Sequence, residues 1–218
     1  MFKPIMEQQK EYFWTGATLD IRNRKKQLEA LDRMLADSIP EILEAVRLDL
    51  GRSPAEAYMS EIVPVINELR CASRRLKNWN EKKRMPGTIL SPFSRFEVVP
   101  EPKGQVLIIS PFNYPVQLAL IPLISALAAG NTVLLKLSEQ SAHTGRLLTE
   151  LLNRTFDARI VFATSAPPDE FEDLFDLPYD HIFFTGSTRI GREIMKTAGS
   201  RLTTATLELG GKSPAIVH

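Results

Sequence analysis

The sequence predicts an α/β fold: a doubly wound, mostly parallel sheet preceded by a helical N-terminal segment. Three observations predict it. Short runs rich in Val, Ile and Leu recur through the second half of the chain. Helical stretches separate them, which calls for parallel crossovers rather than hairpins. Runs rich in Val, Ile and Leu also suit strands covered by helices on both sheet faces.

Residues 1 to about 84 read as helical. Thr18 is the expected N-cap of a helix that carries Ile21, Leu28, Leu31 and Leu35 at helical spacing. Ser38 and Pro40 mark a break. Ile42, Ala45, Val46 and Leu50 then continue on a new helix that Gly51 stops. Ser53 and Glu56 form a capping-box pattern with Pro54 at the first helical position. A long helix is expected after it, with Val65, Leu69, Ala72, Leu76 and Trp79 along one face. Pro64 either kinks that helix or starts its second part. The segment EKKRMPGTILSPFS, residues 81–94, mixes charge, glycine and two prolines and reads as a loop.

The pattern turns strand-like at FEVVPEP, so residues 1–95 are expected to form the helical segment and linker, and residues 96–218 the sheet lobe. Strands are predicted at 106–110, 132–137, 160–163, 181–185 and 204–209. Helices are predicted at 116–129, 141–156, 169–175 and 188–198.

Composition narrows the function classes. Hydrophobic residues make up 44% and charged residues 24% of 218, the balance of a globular protein, and the net charge is +1. No bulk electrostatic attraction to nucleic acid or an anionic membrane follows. The longest apolar stretch, Pro115 to Ala129, includes Gln117, Pro122 and Ser125 and falls short of the roughly 20 residues a spanning helix needs. The charged, aromatic N-terminus MFKPIMEQQKEYFW lacks an apolar signal-peptide core. Cys71 is the single cysteine, so no internal disulfide forms, and no Cys/His cluster suggests a metal site. A reducing, cytoplasmic setting is the expectation.

Ligands of open parallel sheets bind beyond the carboxyl ends of the strands. The segments at those ends are therefore the place to look for a site. Ser110-Pro111-Phe112-Asn113-Tyr114-Pro115 comes after the first predicted strand, and Lys136-Leu137-Ser138-Glu139 after the second. Phe184-Thr185-Gly186-Ser187-Thr188-Arg189-Ile190-Gly191 comes after the fourth, and Glu208-Leu209-Gly210-Gly211-Lys212-Ser213-Pro214 after the fifth. These polar segments are expected to converge on one edge.

Each has two readings. Gly186 to Gly191 opens a helix whose free N–H groups attract phosphate, with Ser187 as N-cap and donor. Equally, it is an ordinary capped helix, and it is not the G-x-G-x-x-G fingerprint. Lys136 and Glu139 sit where an adenosine ribose would lie, or form a solvated pair at a strand end. Asn113, bracketed by Pro111 and Pro115, can donate from its side-chain amide to a developing oxyanion, or caps the next helix. Glu208, partly buried before Gly210-Gly211, can serve as a base, or is a structural carboxylate. Cys71 falls one position off the apolar face of its helix and reads as structural. His143, His181 and His218 share no spacing and read as ordinary boundary residues.

Taken together, PFNYP, KLSE, FTGSTRIG and LELGGKSP, in this order and on these strands, resemble the aldehyde dehydrogenase superfamily. The helical front and the E-x-Y-x-x-E run from Glu56 to Glu61 look most like its class 3 branch. The resemblance covers nearly the whole chain. It implies a Rossmann-like lobe that binds NAD or NADP, an aldehyde substrate and a homodimeric parent. Asn113 would stabilise the oxyanion of a thiohemiacetal, and Glu208 would activate water for thioester hydrolysis. Lys136 and Glu139 would hold the ribose, and Gly186 and Ser187 would meet the pyrophosphate, with Gly191 in the helix behind. Leu209 would lie near the nicotinamide, and Ser110, Pro111 and Phe112 would line the cofactor's path.

The sequence departs from the family pattern in three places. Phe112 stands where tryptophan often precedes the asparagine, Leu137 where proline often follows the lysine, and the third strand ends in ATSAPP without a glycine. The family's nucleophilic cysteine is expected beyond His218, with the catalytic lobe, so the chain alone is expected to be inactive. Two other functions stay open: a CoA-acylating enzyme of the same fold, which a hydrolytic base at Glu208 would spoil, and a non-catalytic nucleotide-binding or interaction module, which the absence of a motif-embedded cysteine favours for this chain as it stands.

Overall fold

The computed structural model of the chain describes residues 2–87, 94–165, 174 and 177–217. Helix α1 (Lys3–Trp14) starts with a proline in its first turn. A single 3-10 turn, Ala17–Leu19, leads to helix α2 (Ile21–Leu50). Asp20, not Thr18, caps α2: its carboxylate accepts from the Arg22 N–H, while Thr18 is buried in the preceding turn. The break expected at Ser38 and Pro40 is absent, and the helix runs through both. Proline there removes one backbone hydrogen bond, but Ile42 and Val46 beyond it are fully buried in the core and hold the last turns helical. Gly51, at φ 67°, ends α2 as expected.

Ser53 accepts from the Glu56 N–H and opens helix α3 (Pro54–Ala57). The long helix expected next is divided by a π-helical stretch, Tyr58–Ile62, before α4 (Val63–Trp79). Pro64 lies in the first turn of α4, so it starts a helix rather than kinking one. Val65, Leu69, Ala72 and Leu76 are buried on one face; Trp79, expected on it, is half exposed at the helix end. Part of the expected 81–94 loop is a strand, β1 (Lys83–Met85), paired antiparallel with β2 (Phe96–Val98).

The main sheet holds β3 (Gln105–Ile109), β4 (Thr132–Lys136), β5 (Val161–Thr164), β6 (His181–Gly186) and β7 (Thr204–Leu209), all parallel, in the order β5-β4-β3-β6-β7. All five match predicted strands within a residue at each end. Helices α5 (Gln117–Ala129), α6 (Ala142–Thr155) and α7 (Thr188–Ser200) match predicted helices. Of the helix expected at 169–175, only Leu174 lies among the described residues.

Alternate strand residues feed two cores, as the period of two requires. Val106, Ile108, Val133, Leu135, Val161 and Ala163 join apolar residues of α2, α4, α5 and α6. Leu107, Ile109, Leu134, Ile182 and Phe184 join Phe2 and Met6 at the start of α1 with Ile194 and Ala198 of α7. The N-terminal helices thus share a core with the sheet. Among the described residues, no helix is long and apolar enough to cross a membrane.

Candidate active site

The parallel register aligns the carboxyl ends. Ile109 pairs with Lys136 and with Phe184, Thr185 with Glu208, and Gly186 with Leu209. The segments after β3, β4, β6 and β7 therefore leave the sheet on one edge. The strand order reverses at β3, whose crossovers lead to β4 on one side and whose other neighbour is β6. That is the switch point at which such sheets open a crevice.

Ser110 is buried, and both its N–H (3.0 Å) and its hydroxyl (3.4 Å) donate to the Lys136 carbonyl. Pro111 is half-buried, while Phe112, Asn113 and Tyr114 are exposed. Lys136 is only 2% exposed. Its ammonium donates to Glu139, whose side chain remains 37% exposed. Burial pushes the Lys136 pKa down, partly offset by the Glu139 carboxylate. For Glu139, burial pushes the pKa up, but the hydrogen bond and charge of Lys136 together with a backbone N–H outweigh it, and the net shift is downward. A buried cation thus holds an accessible carboxylate in its ionised form at the end of β4.

At the end of β6, Ser187 caps α7 and accepts from the Ile190 N–H. A Cβ on Gly186 would stand 2.5 Å from the Phe184 ring, so glycine is required there by the protein's own packing. Gly191 is buried against Leu209, where a Cβ would stand 2.7 Å from Cδ2. Gly191 and Leu209 are therefore brought together where α7 packs against the end of β7, and Ser187 lies at the start of the same helix.

Glu208 is exposed, not partly buried. Strand β7 is the edge of the sheet, so β6 alone flanks it and nothing among the described residues covers its outer side. Beyond Ser165, the turn after β5 lies outside the described residues.

Two further residues belong to this region: Arg52, which no sequence motif marked, and Glu61, marked only as the end of the E-x-Y-x-x-E run. Glu61, fully buried in the π-helical stretch, accepts from the Val116 (3.2 Å) and Gln117 (2.9 Å) N–H groups at the start of α5. Arg52 donates to Glu61 (2.8 Å) and to the Asn113 carbonyl (2.7 Å). The available signal was a carboxylate next to Ile62 and four residues before Val65, on the apolar side of its helix. His181 lies between the hydroxyls of Thr204 and Thr206, the His143 backbone N–H donates to Asp49 at the start of α6, and His218 lies outside the described residues. Among the described residues, no group of three or more His, Cys, Asp or Glu could hold a metal ion.

An open parallel sheet with its loops gathered at a switch point is the doubly wound class of α/β protein, whose ligands bind in that crevice. Residues 2–218 match the aldehyde dehydrogenase family, and the chain belongs to it. It is 41% identical over 208 residues to 4,4'-diaponeurosporen-aldehyde dehydrogenase of Staphylococcus aureus, covering 95% of this chain and 45% of that one. It is 41% identical over 216 residues to aldehyde dehydrogenase family 3 member B3 of Mus musculus, covering 99% of this chain and 45% of that protein. A substrate-bound structure of Staphylococcus aureus AldH superposes with a TM-score of 0.95 at 39% identity, covering 98% of this chain and 47% of that one. The chain spans about half the length of the curated relatives it matches.

Proposed function

We propose that residues 96–218 form the cofactor lobe, and residues 1–95 its helical front, of an NAD(P)-dependent enzyme that oxidises an aldehyde to a carboxylic acid. The observation that carries this reading is the shared edge: Asn113, the Lys136–Glu139 pair, Ser187 and Glu208 lie at the ends of four strands of one parallel sheet in register. The residues suit a dinucleotide. Glu139, ionised and accessible, would accept hydrogen bonds from ribose hydroxyls, and Lys136 holds it in place. Ser187 and the first N–H groups of α7 would hold a pyrophosphate at the positive end of the helix. Bound there, the nicotinamide would accept hydride from the substrate carbon.

The remaining chemistry falls to protein groups. A thiolate adds to the aldehyde carbon, and the Asn113 amide donates to the oxygen that becomes an oxyanion. Glu208 removes a proton from the water that later attacks the acyl group, and its exposure leaves it free to reach that water. Cys71 is not the thiolate. It sits on α4, which packs against α2 and α5, away from the loops at the strand ends. The nucleophile is accordingly supplied from outside these 218 residues. Glu208 also favours release of a free acid over transfer to CoA, because an activated water would consume the thioester.

Calorimetric titration of the 218-residue chain with NAD⁺ and NADP⁺ tests the cofactor assignment. NAD⁺ binding is expected, and Glu139→Gln should weaken it more than NADP⁺ binding, since Glu139 repels a 2′-phosphate. An unchanged ratio removes Glu139 from the ribose site. Aldehyde-dependent NADH formation by the chain alone, abolished by Cys71→Ser, overturns the reading of the nucleophile.

A further inference from the structure

The loop that carries Asn113 is not held by its own residues. Pro111 and Pro115 stiffen it at both ends, but its middle, Phe112 to Tyr114, is exposed. Its fixed points come from a segment more than fifty residues earlier in the sequence. The Arg52 guanidinium donates to the Asn113 carbonyl at 2.7 Å and lies 4.2 Å from the centroid of the Tyr114 ring. The other arm of the same guanidinium donates to Glu61 Oε1 at 2.8 Å. Glu61 Oε2 accepts from Val116 and Gln117, where the loop turns into α5. Helix α5 has no cap from its own N-cap side chain.

A planar fork with fixed donors suits this arrangement, because one guanidinium can bridge a carboxylate and a carbonyl while stacking on an aromatic face. Fixing the Asn113 peptide plane restricts the directions its side chain can take. An oxyanion donor must lie within hydrogen-bond range of a position that is occupied by charge only in the transition state. Small misplacements of such a donor are costly.

We propose that Arg52 and Glu61 are positioning residues that set the orientation of the Asn113 amide: Arg52 grips the loop at its carbonyl and its neighbouring ring, and Glu61 anchors Arg52 and the start of α5 together. The inference rests on the reading of Asn113 as the oxyanion donor. It assigns a role to the E-x-Y-x-x-E segment, whose last carboxylate is buried, pairs with Arg52 and accepts from the N–H groups of Val116 and Gln117 where the loop enters α5. Neither residue touches the substrate; both act through Asn113.

The test is a double-mutant cycle in the full-length enzyme that carries this chain, with single-turnover hydride transfer and cofactor affinity as readouts. Arg52→Met should slow hydride transfer by about 10-fold or more while leaving NAD⁺ affinity within about 2-fold, since loss of a whole oxyanion donor costs about 10²- to 10³-fold. Arg52→Lys keeps the charge without the fork and should recover only part of the rate. In an Asn113→Ala background, Arg52→Met should cost nothing further. A full additional loss in that background overturns the positioning role, because Arg52 then acts by another route. If Asn113→Ala alone leaves hydride transfer unchanged, the oxyanion reading fails first and the proposal fails with it. Tyr114→Leu, which removes the stacking platform but no buried charge, serves where Arg52→Met does not fold. It should slow hydride transfer by a few-fold and add nothing to Asn113→Ala, and additivity there likewise overturns the proposal.

Discussion

Gly191 lies under Leu209: a Cβ added to the helix glycine would stand 2.7 Å from the leucine Cδ2 and 3.4 Å from Cδ1. The contact ties the second turn of α7 to the last residue of β7, and so sets where the chain leaves the sheet after Glu208. Leu209 is 40% exposed, so its side chain has room to swing away. Gly191→Ala should therefore change stability little, because the strain of moving Leu209 is offset by the gain of about 1 kcal/mol in helix propensity. Leu209 would be displaced on the edge proposed to meet the nicotinamide. NAD⁺ affinity is expected to fall several-fold at nearly constant urea midpoint. Native affinity in the variant would remove Leu209 from the cofactor's path.

Gly104 presents the opposite case. Its φ is 129°, a conformation that side chains rarely adopt, and a Cβ there would overlap Asp180 Oδ2. Asp180 cannot retreat without losing its hydrogen bond from the Gln105 N–H, 2.8 Å, at the start of β3. Both backbone strain and a lost bond result, so Gly104→Ala is expected to cost about 2–4 kcal/mol of unfolding free energy. Chemical denaturation measures it. A cost below about 1 kcal/mol, the size of one ordinary hydrogen bond, would mean that the β3–β6 entry is more pliable than its packing indicates.

The central strands were legible because their composition is local: runs such as VLII and TVLLK are apolar at nearly every position, and both faces of β3 and β4 are covered. Turns at the strand ends were legible for the same reason. Pro40 misled because proline's local preference was opposed by burial of Ile42 and Val46, which depends on what packs opposite. The pairing of Lys83–Met85 with Phe96–Val98 was hidden because each partner is short and exposed. Glu208 was expected to be covered because strand order, which makes β7 an edge, is not written in any one strand. Glu61 was visible only as the end of the E-x-Y-x-x-E run, without its structural part. A carboxylate on an apolar helix side looks like an anomaly until the N-terminus it caps, at Val116 and Gln117, is packed against it.

Gln9 tethers α1 to the sheet. It is 1% exposed, and its side-chain amide donates to the Val133 and Ala158 carbonyls, both at 3.0 Å. These bonds join the first helix to β4 and to the turn before β5, next to Phe2 and Met6 in the second core. Gln9→Ala removes two donors and leaves two carbonyls to find other partners. A loss of about 1–3 kcal/mol is expected. Limited proteolysis should also cut within residues 3–14 faster than in the parent chain. Unchanged protection of that helix would show that its apolar contacts alone hold it.

Glu61 gives the chain a pH dependence of defined sign. Burial pushes its carboxyl pKa up, and the N–H groups of Gln117 and Val116 with the Arg52 charge and hydrogen bond offset this only in part. A carboxyl whose folded pKa is raised holds its proton more readily in the folded chain than in the unfolded one. Its contribution is fully present below the ordinary carboxylate pKa and declines as pH rises through the folded one. The exposed pairs Asp20–Arg22 and Glu44–Arg47 work oppositely, because arginine hydrogen bonds lower those carboxyl pKa values and the benefit is lost on acidification. Exposed pairs contribute little. Subtracting the stability of Glu61→Gln from that of the parent chain at each pH cancels them. The difference is expected to fall as pH rises through the window between the ordinary and the raised value, and to be flat above it. Urea unfolding between about pH 4 and 8, a range that brackets the ordinary carboxylate value and a raised one, measures both curves. A difference that instead rises with pH would mean that the ion pair with Arg52 outweighs the cost of burying the carboxylate, and that Glu61 is held in its charged form across the whole range.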